Sequence, residues 1–124
     1  HVTGERWQTW NQYHERLAEA IGAPKPSIVH IPADVLVRVS AEHTMVTYLN
    51  FQYTNIFDNS AAKADLDFEQ TIDWKTGAKR TYDWLVEHDR INDYQSFPFY
   101  DQVIESYKKQ TNELIAELSN LNHH

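Results

Sequence analysis

Histidines are the residues of this chain best suited to hold a metal ion, because a neutral imidazole is a common metal ligand. Four of the seven lie well inside the chain: His14, His30, His43 and His88. None of them is followed by a second histidine four residues later, so the spacing that places two imidazoles on one helix face does not occur. The chain also lacks cysteine. We therefore predict no metal site and interpret these histidines as solvated or hydrogen-bonded.

Tryptophans are the next residues that could form a functional site. Four of them could together form an aromatic box around a ligand: Trp7, Trp10, Trp74 and Trp84. Indole rings at helical spacing more often lie in a hydrophobic core, so we favour the core and keep the ligand box as the alternative. Serine catalysis has no support, because no Gly-x-Ser-x-Gly sequence occurs. These patterns predict no catalytic residue.

The composition is that of one globular domain. The chain has 124 residues, of which 41% are hydrophobic and 23% are charged, and its formal net charge is −7. This acidic balance argues against nonspecific nucleic-acid binding, which needs a basic face. No apolar run reaches the roughly 18 residues of a membrane helix. Because no signal-peptide pattern opens the chain, we expect a cytoplasmic protein with neither nucleic-acid nor membrane partners.

The opening stretch predicts a strand, a helix and a second strand. Residues 1–3 have the composition of a strand, and residues 28–31 form a second apolar run that Pro32 ends. Between them, Thr9 and Gln12 form a capping box that begins a helix, and a glycine ends it. Two strands around one helix indicate a parallel βαβ unit. We therefore predict an α/β fold, with a small parallel sheet covered by four or five helices.

Helices dominate the prediction for the remaining chain. One begins at residues 32–34, a short one follows the cap-type residues 58–60, and a longer one capped by Thr71 runs to Leu85. Gly77 inside the longer helix costs about 1 kcal/mol relative to alanine, which we explain by the close approach of another backbone. The other expected elements are a third short strand at residues 54–57, a loop at residues 91–98 and a long helix at residues 99–121.

Two stretches carry a resemblance to a known family. The first is HVTGERWQTWNQYHERLAEAIGAPKPSIVHIPADVL, at residues 1–36. The second, at residues 58–84, contains Asp-Asn-Ser-Ala-Ala-Lys, Leu-Asp-Phe, Thr-Ile and Gly-Ala-Lys-Arg-Thr-Tyr-Asp-Trp. In this order they resemble the C-terminal part of extended short-chain dehydrogenase/reductases, the NAD(P)-dependent epimerase/dehydratase relatives. The lysine of that family's Ser-Lys-Ala element is displaced here to Lys63.

The resemblance implies the C-terminal substrate-binding domain of an extended Rossmann-type oxidoreductase. In that family a Gly-rich turn binds NAD or NADP, and a catalytic tyrosine precedes a lysine by four residues. The three glycines of this chain lie far apart, and no tyrosine has lysine at that spacing. We therefore expect no cofactor in this chain, no activity of the chain alone, and a Rossmann half as the partner that supplies NAD or NADP.

The resemblance also implies that the segment between the two matching stretches faces a small-molecule substrate. The predicted substrate-binding residues are chosen for their polar reach within that segment: His43, Tyr48, Asn50, Tyr53 and Asn55. The alternative is that half of them merely pack or face water. Between Arg38 and Lys63 there is no arginine or lysine, and family members that bind nucleotide sugars use an arginine there. This absence argues against a nucleotide-sugar substrate.

The C-terminal helix supports a second class of function. Spacings of three and four residues along it form a seam of the kind that joins two helices: Ile104, Tyr107, Thr111, Leu114, Leu118 and Leu121. Packing within its own domain and pairing with a second chain both fit this seam, and the length of the helix favours a homodimer. We divide the chain into a substrate-binding domain at 1–98, the helix at 99–122 and a tag remnant at 123–124. The alternative function is a non-catalytic binding or self-association domain.

Overall fold

The regular structure of the chain is helical throughout its described part. The computed structural model describes residues 3–121, and for residues 120 and 121 it describes the backbone only. These residues form no strand, so the predicted α/β fold with a parallel sheet is wrong. Two compact units divide the chain, His1–Arg90 and Ile91–His124. The α-helices are α1 Trp10–Ile21, α2 Ala33–Val39, α3 Ala41–Val46, α4 Ser60–Leu66, α5 Trp74–Glu87 and α6 Phe99–Leu121.

Helix α1 begins and ends as the sequence predicts. The Thr9 hydroxyl accepts a hydrogen bond from the Gln12 N–H at 3.2 Å, and the Gln12 side chain accepts one from the Thr9 N–H at 3.0 Å. This is the predicted capping box. Gly22 ends the helix in the left-handed region, with φ 72°, and Ala23 donates to the Ala18 carbonyl at 2.8 Å. All of these bonds join residues close in sequence, so residue types alone predict them.

Helix α5 packs against α1. The rings of Tyr13 and Trp74 meet edge to face, with their centroids 5.2 Å apart. Asp73 caps α5, because its Oδ1 accepts from the Thr76 N–H at 2.9 Å and its Oδ2 from the Thr76 hydroxyl at 2.9 Å. The prediction of a helix here is confirmed, although the cap is Asp73 and not Thr71.

The glycine inside α5 has more space than the sequence predicts. A Cβ built on Gly77 would meet only the side chain of Ile72, at 3.7 Å. That distance is ordinary van der Waals contact, and no neighbouring backbone lies within it. The predicted close approach of another backbone at Gly77 is therefore wrong, and its cost in helix propensity is not offset at this position.

Neither predicted strand of the βαβ unit forms a ladder in the described residues. Residues 28–31 adopt no regular structure, and no backbone hydrogen bond joins them to another described residue. Of residues 1–3, His1 and Val2 lie outside the described part, as do His123 and His124. Strands require a partner for their hydrogen bonds. Thr3 instead bonds through both its N–H and its carbonyl to the side chain of Asn59, at 3.0 Å and 2.7 Å.

The helix predicted to begin at residues 32–34 is confirmed as α2, and helical structure resumes after Ser40 and continues to residue 51. Helices α2 and α3 join at Ser40, whose carbonyl accepts from the Thr44 N–H at 3.1 Å and from the Thr44 hydroxyl at 2.7 Å. The π-helix Thr47–Phe51 follows, and the Gln52 N–H donates to the Thr47 carbonyl at 3.0 Å. The β-branched and aromatic residues here have a weak helix preference, which the mutual packing of these three helices overrides.

Helix α4 confirms the short helix predicted after residues 58–60. The Asp58 carboxylate accepts from the Ser60 N–H at 2.9 Å and from the Ser60 hydroxyl at 2.7 Å. The side-chain bond, followed by the backbone bond, lowers the pKa of Asp58 below its ordinary value. Asp67 ends the helix in the left-handed region, with φ 50°. Residues 54–57, the candidate third strand, form no regular structure.

The second unit contains the 3₁₀ helix Tyr94–Ser96 and α6. The long helix predicted at residues 99–121 is confirmed, and the predicted loop before it includes the 3₁₀ helix. Along the predicted seam of α6, Ile104 and Tyr107 are half-buried, whereas Leu114 and Leu118 are exposed. The C-terminal half of α6 therefore presents an apolar stripe.

Very few side chains of the described residues are buried. Those that are have small or polar side chains: Ala18, Ala20, Thr44, Asn59 and Ala62. No large side chain in the described part is fully buried, and many large apolar ones are exposed, Trp7 at 74% and Leu66 at 73% among them. Folded domains ordinarily cover most of their large apolar side chains. The first unit therefore presents an extensive apolar surface.

Candidate ligand-binding site

The segment that leads to α1 is fixed at three points. The Asn59 side chain bonds both backbone groups of Thr3, as described above. The Glu5 N–H donates to the Gln70 side chain at 2.6 Å, and the Glu5 carboxylate accepts from the Lys63 ammonium at 2.7 Å. Held in this way by α4 and the linker to α5, the segment places Trp7 beside the start of α1.

An aromatic cavity lies where this segment meets the end of the π-helix. Its volume is about 650 Å³, and its walls are residues 7–10, Tyr13 and residues 50–57. Small-molecule sites in proteins typically enclose about 300–1,000 Å³ and combine apolar walls with a few polar groups. The aromatic cavity fits both descriptions. No lysine, arginine, histidine, aspartate or glutamate is among these lining residues.

Trp10 organises the aromatic wall. Its indole N–H donates to the Phe51 carbonyl at 3.2 Å, which ties α1 to the π-helix. Its ring meets Phe51 at 5.3 Å and 74°, and meets Tyr13 at 5.6 Å and 68°, both edge to face. Trp10 is 52% exposed and Trp7 is 74% exposed, so both lie at the surface and line the cavity.

The preference for the four tryptophans as core residues is wrong for three of them. Trp7, Trp10 and Trp84 are exposed, and only Trp74 is half-buried. Trp7 and Trp10, two of the four residues of the ligand-box alternative, line the aromatic cavity together, whereas Trp74 and Trp84 are not among its lining residues. The core preference failed because helical spacing shows that residues share a face but does not show what covers that face.

Two asparagines form the polar part of the cavity. The Asn55 side-chain nitrogen donates to the Asn50 backbone carbonyl at 3.2 Å and to the Asn50 side-chain oxygen at 3.0 Å. These two bonds fold residues 50–55 into a tight loop around the end of the π-helix. Both residues line the cavity beside the aromatic wall.

The structure brings together three of the five predicted substrate-binding residues. Asn50, Tyr53 and Asn55 line the aromatic cavity, and His43 and Tyr48 are not among its lining residues. His43 lies on α3, where its Nδ1 is 2.8 Å from the Ser40 hydroxyl. Tyr48 lies in the π-helix, and its carbonyl accepts from the Gln52 side chain. Sequence reasoning did not assign Phe51, Ile56 or Phe57 to the site, and its only signal for Trp7 and Trp10 was the ligand-box alternative.

A second cleft, of about 750 Å³, is polar and lies at the start of α5. Its charged lining residues balance in number: Glu5, Arg6, Arg16, Glu19, Asp73 and Lys75. Lys75 is 3.6 Å from the Glu19 carboxylate. The backbone and then the side-chain hydrogen bond from Thr76 lower the pKa of Asp73, and Arg6 contributes less. Because its charges compensate one another, this cleft offers less for a ligand than the aromatic cavity.

The histidines have local partners within the described residues. The Nε2 of His30 is 2.9 Å from the Asn11 side-chain oxygen. The ring of His88 stacks on Trp84 at 4.2 Å, and its Nδ1 is 2.8 Å from the Trp84 carbonyl. His14 meets the ring of Tyr13 at 5.4 Å. Across residues 3–121, no group of three metal-binding side chains converges.

Comparison of the chain with protein-family models, with curated proteins and with solved structures finds no match. Among the helices of residues 3–121, none combines the length and the apolar composition that spanning a membrane requires.

Proposed function

We propose that this chain is the substrate-binding part of an NAD(P)-dependent oxidoreductase of the epimerase/dehydratase type. The observation that carries the proposal is the aromatic cavity, because it has the volume and the lining of a small-molecule site. Three of the residues that the family resemblance assigned to the substrate line it: Asn50, Tyr53 and Asn55. The chain's role is to hold the substrate while another polypeptide segment performs the redox step.

The redox step needs groups that this sequence does not contain. No Gly-rich turn is present to bind a dinucleotide pyrophosphate, and no tyrosine is followed by lysine four residues later. A Rossmann half would supply NAD or NADP and the catalytic pair. The exposed apolar surface of the first unit supports such a partner, since Trp7, Leu49 and Leu66 are each at least 65% exposed. The proposed location is the cytoplasm.

Association with a dinucleotide-binding half tests this function directly. The probe is the purified dinucleotide-binding half of an epimerase/dehydratase enzyme that does not act on nucleotide sugars, produced without its own C-terminal part. We expect a one-to-one complex in sedimentation velocity, with slower amide exchange at exposed apolar residues of the first unit. The intact enzyme is the matched control. Its own substrate-binding part already covers the contact surface of its dinucleotide-binding half, so the intact enzyme should not bind this chain.

Two results would contradict the proposal. One is failure of the isolated dinucleotide-binding half to bind this chain at any concentration that keeps both soluble. The other is a micromolar site for NAD⁺ or NADPH on the chain alone in titration calorimetry, because we expect no tight dinucleotide binding without a Gly-rich turn. Dehydrogenase activity of the chain alone would contradict it equally.

A second candidate function is self-association through α6. The specific observation in its favour is the exposure of Leu114, Ile115 and Leu118, which are 54%, 56% and 49% exposed on one stripe of the helix. In a paired helix, such side chains insert between those of the facing helix. Self-association and substrate binding are compatible, because the first uses α6 and the second uses the aromatic cavity.

A further inference from the structure

The chemistry of the aromatic cavity narrows the ligand that the proposed function requires. We infer that the cavity binds an uncharged, planar ring compound whose edge carries a hydrogen-bond acceptor beside a donor, as a primary carboxamide does. The inference rests on the proposed function only in treating this cavity as the substrate site. It is carried by the absence of charge in the lining, by the hydrogen bonding of the two asparagines and by the geometry of the rings.

The lining carries no formal charge. Residues 7–10, Tyr13 and residues 50–57 contribute aromatic, aliphatic, amide and hydroxyl groups only. A charged ligand would lose hydration on entering and would meet no counter-ion, which is unfavourable. An anion would also face the electron-rich surfaces of the aromatic rings. An uncharged ligand avoids both costs.

Asn50 and Asn55 together leave one donor group and one acceptor group available to a ligand. The Asn55 nitrogen is occupied by its two bonds to Asn50, and the Asn50 side-chain oxygen accepts one of them. The Asn50 side-chain nitrogen and the Asn55 side-chain oxygen make no bond to another described residue. A carboxamide can satisfy both at once, because it offers an oxygen and an N–H on one edge. A carboxylate has no donor for Asn55, and an amidinium has no acceptor for Asn50.

The aromatic wall favours a planar ring. Trp10 meets Phe51 and Tyr13 edge to face, so three rings form a corner rather than a flat surface. The Trp10 N–H is already bonded to the Phe51 carbonyl at 3.2 Å, so the indole contributes its ring and no free donor. A planar ligand can stack on one ring of such a corner while its rim meets another.

Three isosteric probes separate the possible charges. Benzamide, benzoate and benzamidine share one ring and differ in whether the edge is neutral, anionic or cationic. Each is titrated into the full chain at neutral pH and physiological salt, which screens the net negative charge of the chain. Proton–nitrogen NMR follows the indole N–H of Trp10 and the side-chain amides of Asn50 and Asn55. We expect benzamide to bind at least about fivefold more tightly than either isostere, the effect of one hydrogen bond.

A single substitution should reverse this preference. Asn50→Asp replaces the unbonded side-chain nitrogen by a carboxylate oxygen and keeps the oxygen that accepts from Asn55, so benzamidine should become the tightest probe, with its preference over benzamide changed by about tenfold or more. Asn92→Asp adds the same charge in the other unit and is the matched control, which should leave the order of the probes unchanged. The dispersion of the NMR spectrum establishes that each variant is folded.

Two outcomes would overturn the inference. If benzoate or benzamidine binds the unmodified chain as tightly as benzamide at these residues, the cavity does not select an uncharged edge. That result would leave the proposed function intact, because the cavity would still hold a small molecule. If none of the three probes shifts these resonances, the cavity is not a site for planar rings. The proposed function would then depend on association with the dinucleotide-binding half, which is measured separately.

Discussion

The Asn59 side chain forms hydrogen bonds with both backbone groups of Thr3, as a neighbouring strand would in a sheet. Its side chain accepts from the Thr3 N–H at 3.0 Å and donates to the Thr3 carbonyl at 2.7 Å. The residue is 7% exposed, so water cannot easily replace these bonds. The segment that carries Trp7 to the aromatic cavity is therefore held near its beginning by one side chain.

Asn59→Leu should lower the free energy of unfolding of the first unit by about 1–3 kcal/mol, because it leaves the Thr3 backbone groups unpaired. Urea unfolding followed by tryptophan fluorescence measures this unit alone, since all four tryptophans lie between residues 7 and 84. Thr3→Val is the matched control. It removes only the hydroxyl contacts, 3.2 Å to the Asn59 side-chain oxygen and 3.4 Å to the Gly4 carbonyl, and should cost about 0.5 kcal/mol or less. An unchanged midpoint for Asn59→Leu would contradict this role.

Asp73 should make the first unit sensitive to acid. Hydrogen bonds from Thr76 hold the pKa of Asp73 below its ordinary value. A lowered pKa in the folded state stabilises the fold above the ordinary aspartate pKa of about 3.9, and this contribution is lost as the pH falls through the folded value. Asp73→Asn and Asp73→Ser retain a capping oxygen without the charge, so both should unfold with a shallower dependence on pH below about 4. Identical pH profiles for wild type and both variants would contradict the assignment.

Among the secondary-structure elements, sequence patterns correctly predict the helix caps and helices that depend on residues close together in the chain. The capping box of Thr9 and Gln12 joins residues three apart, and Gly22 supplies the left-handed conformation that ends α1. Helices α4, α5 and α6 were predicted from the same kinds of signal. Residues 28–31 were misassigned because a strand depends on a distant partner, which residue types in one segment do not reveal.

The site was only partly predictable for a related reason. Polar reach predicts Asn50, Tyr53 and Asn55 at the site, and they meet because the π-helix ends at residue 51 and the chain folds back. The same criterion predicts His43, but His43 lies on α3 and bonds Ser40. A π-helix changes the angular spacing of side chains, and no residue pattern in this segment predicts the π-helix. The exposure of the tryptophans depends on tertiary packing in the same way.

The glycine inside α5 and the glycine that ends α1 should respond oppositely to alanine. Gly77→Ala should stabilise the first unit by about 0.5–1 kcal/mol, because its Cβ would meet only Ile72 at 3.7 Å and the helix gains propensity. Gly22→Ala should destabilise it by about 1–2 kcal/mol, because φ at that residue is 72°. Thermal unfolding by circular dichroism measures both. A lowered midpoint for Gly77→Ala would mean that another group approaches α5 more closely than this structure shows.

Both units of the molecule expose large apolar side chains. In the first unit they include Trp7, Leu49 and Leu66, and in the second Leu114 and Leu118. Burying such side chains contributes about 25 cal/mol for each Å² removed from water, so surfaces of this kind favour association. The two surfaces suit different occupants. The first combines a ligand cavity with apolar surroundings, whereas the second is a single helical stripe.

The stripe on α6 should mediate self-association of the full chain. We expect a dimer in sedimentation equilibrium, and we expect Leu114→Glu combined with Leu118→Glu to raise its dissociation constant at least tenfold, which corresponds to about 1.4 kcal/mol. Asn112→Glu combined with Ser119→Glu adds the same charge away from the seam and is the matched control. The circular dichroism of each variant establishes whether it is folded. A folded monomer for the seam variant supports pairing through α6, because only the contact between chains has been lost. An unfolded seam variant would show that these leucines pack within one chain, and a dimer as tight as the parent would show that the interface lies elsewhere.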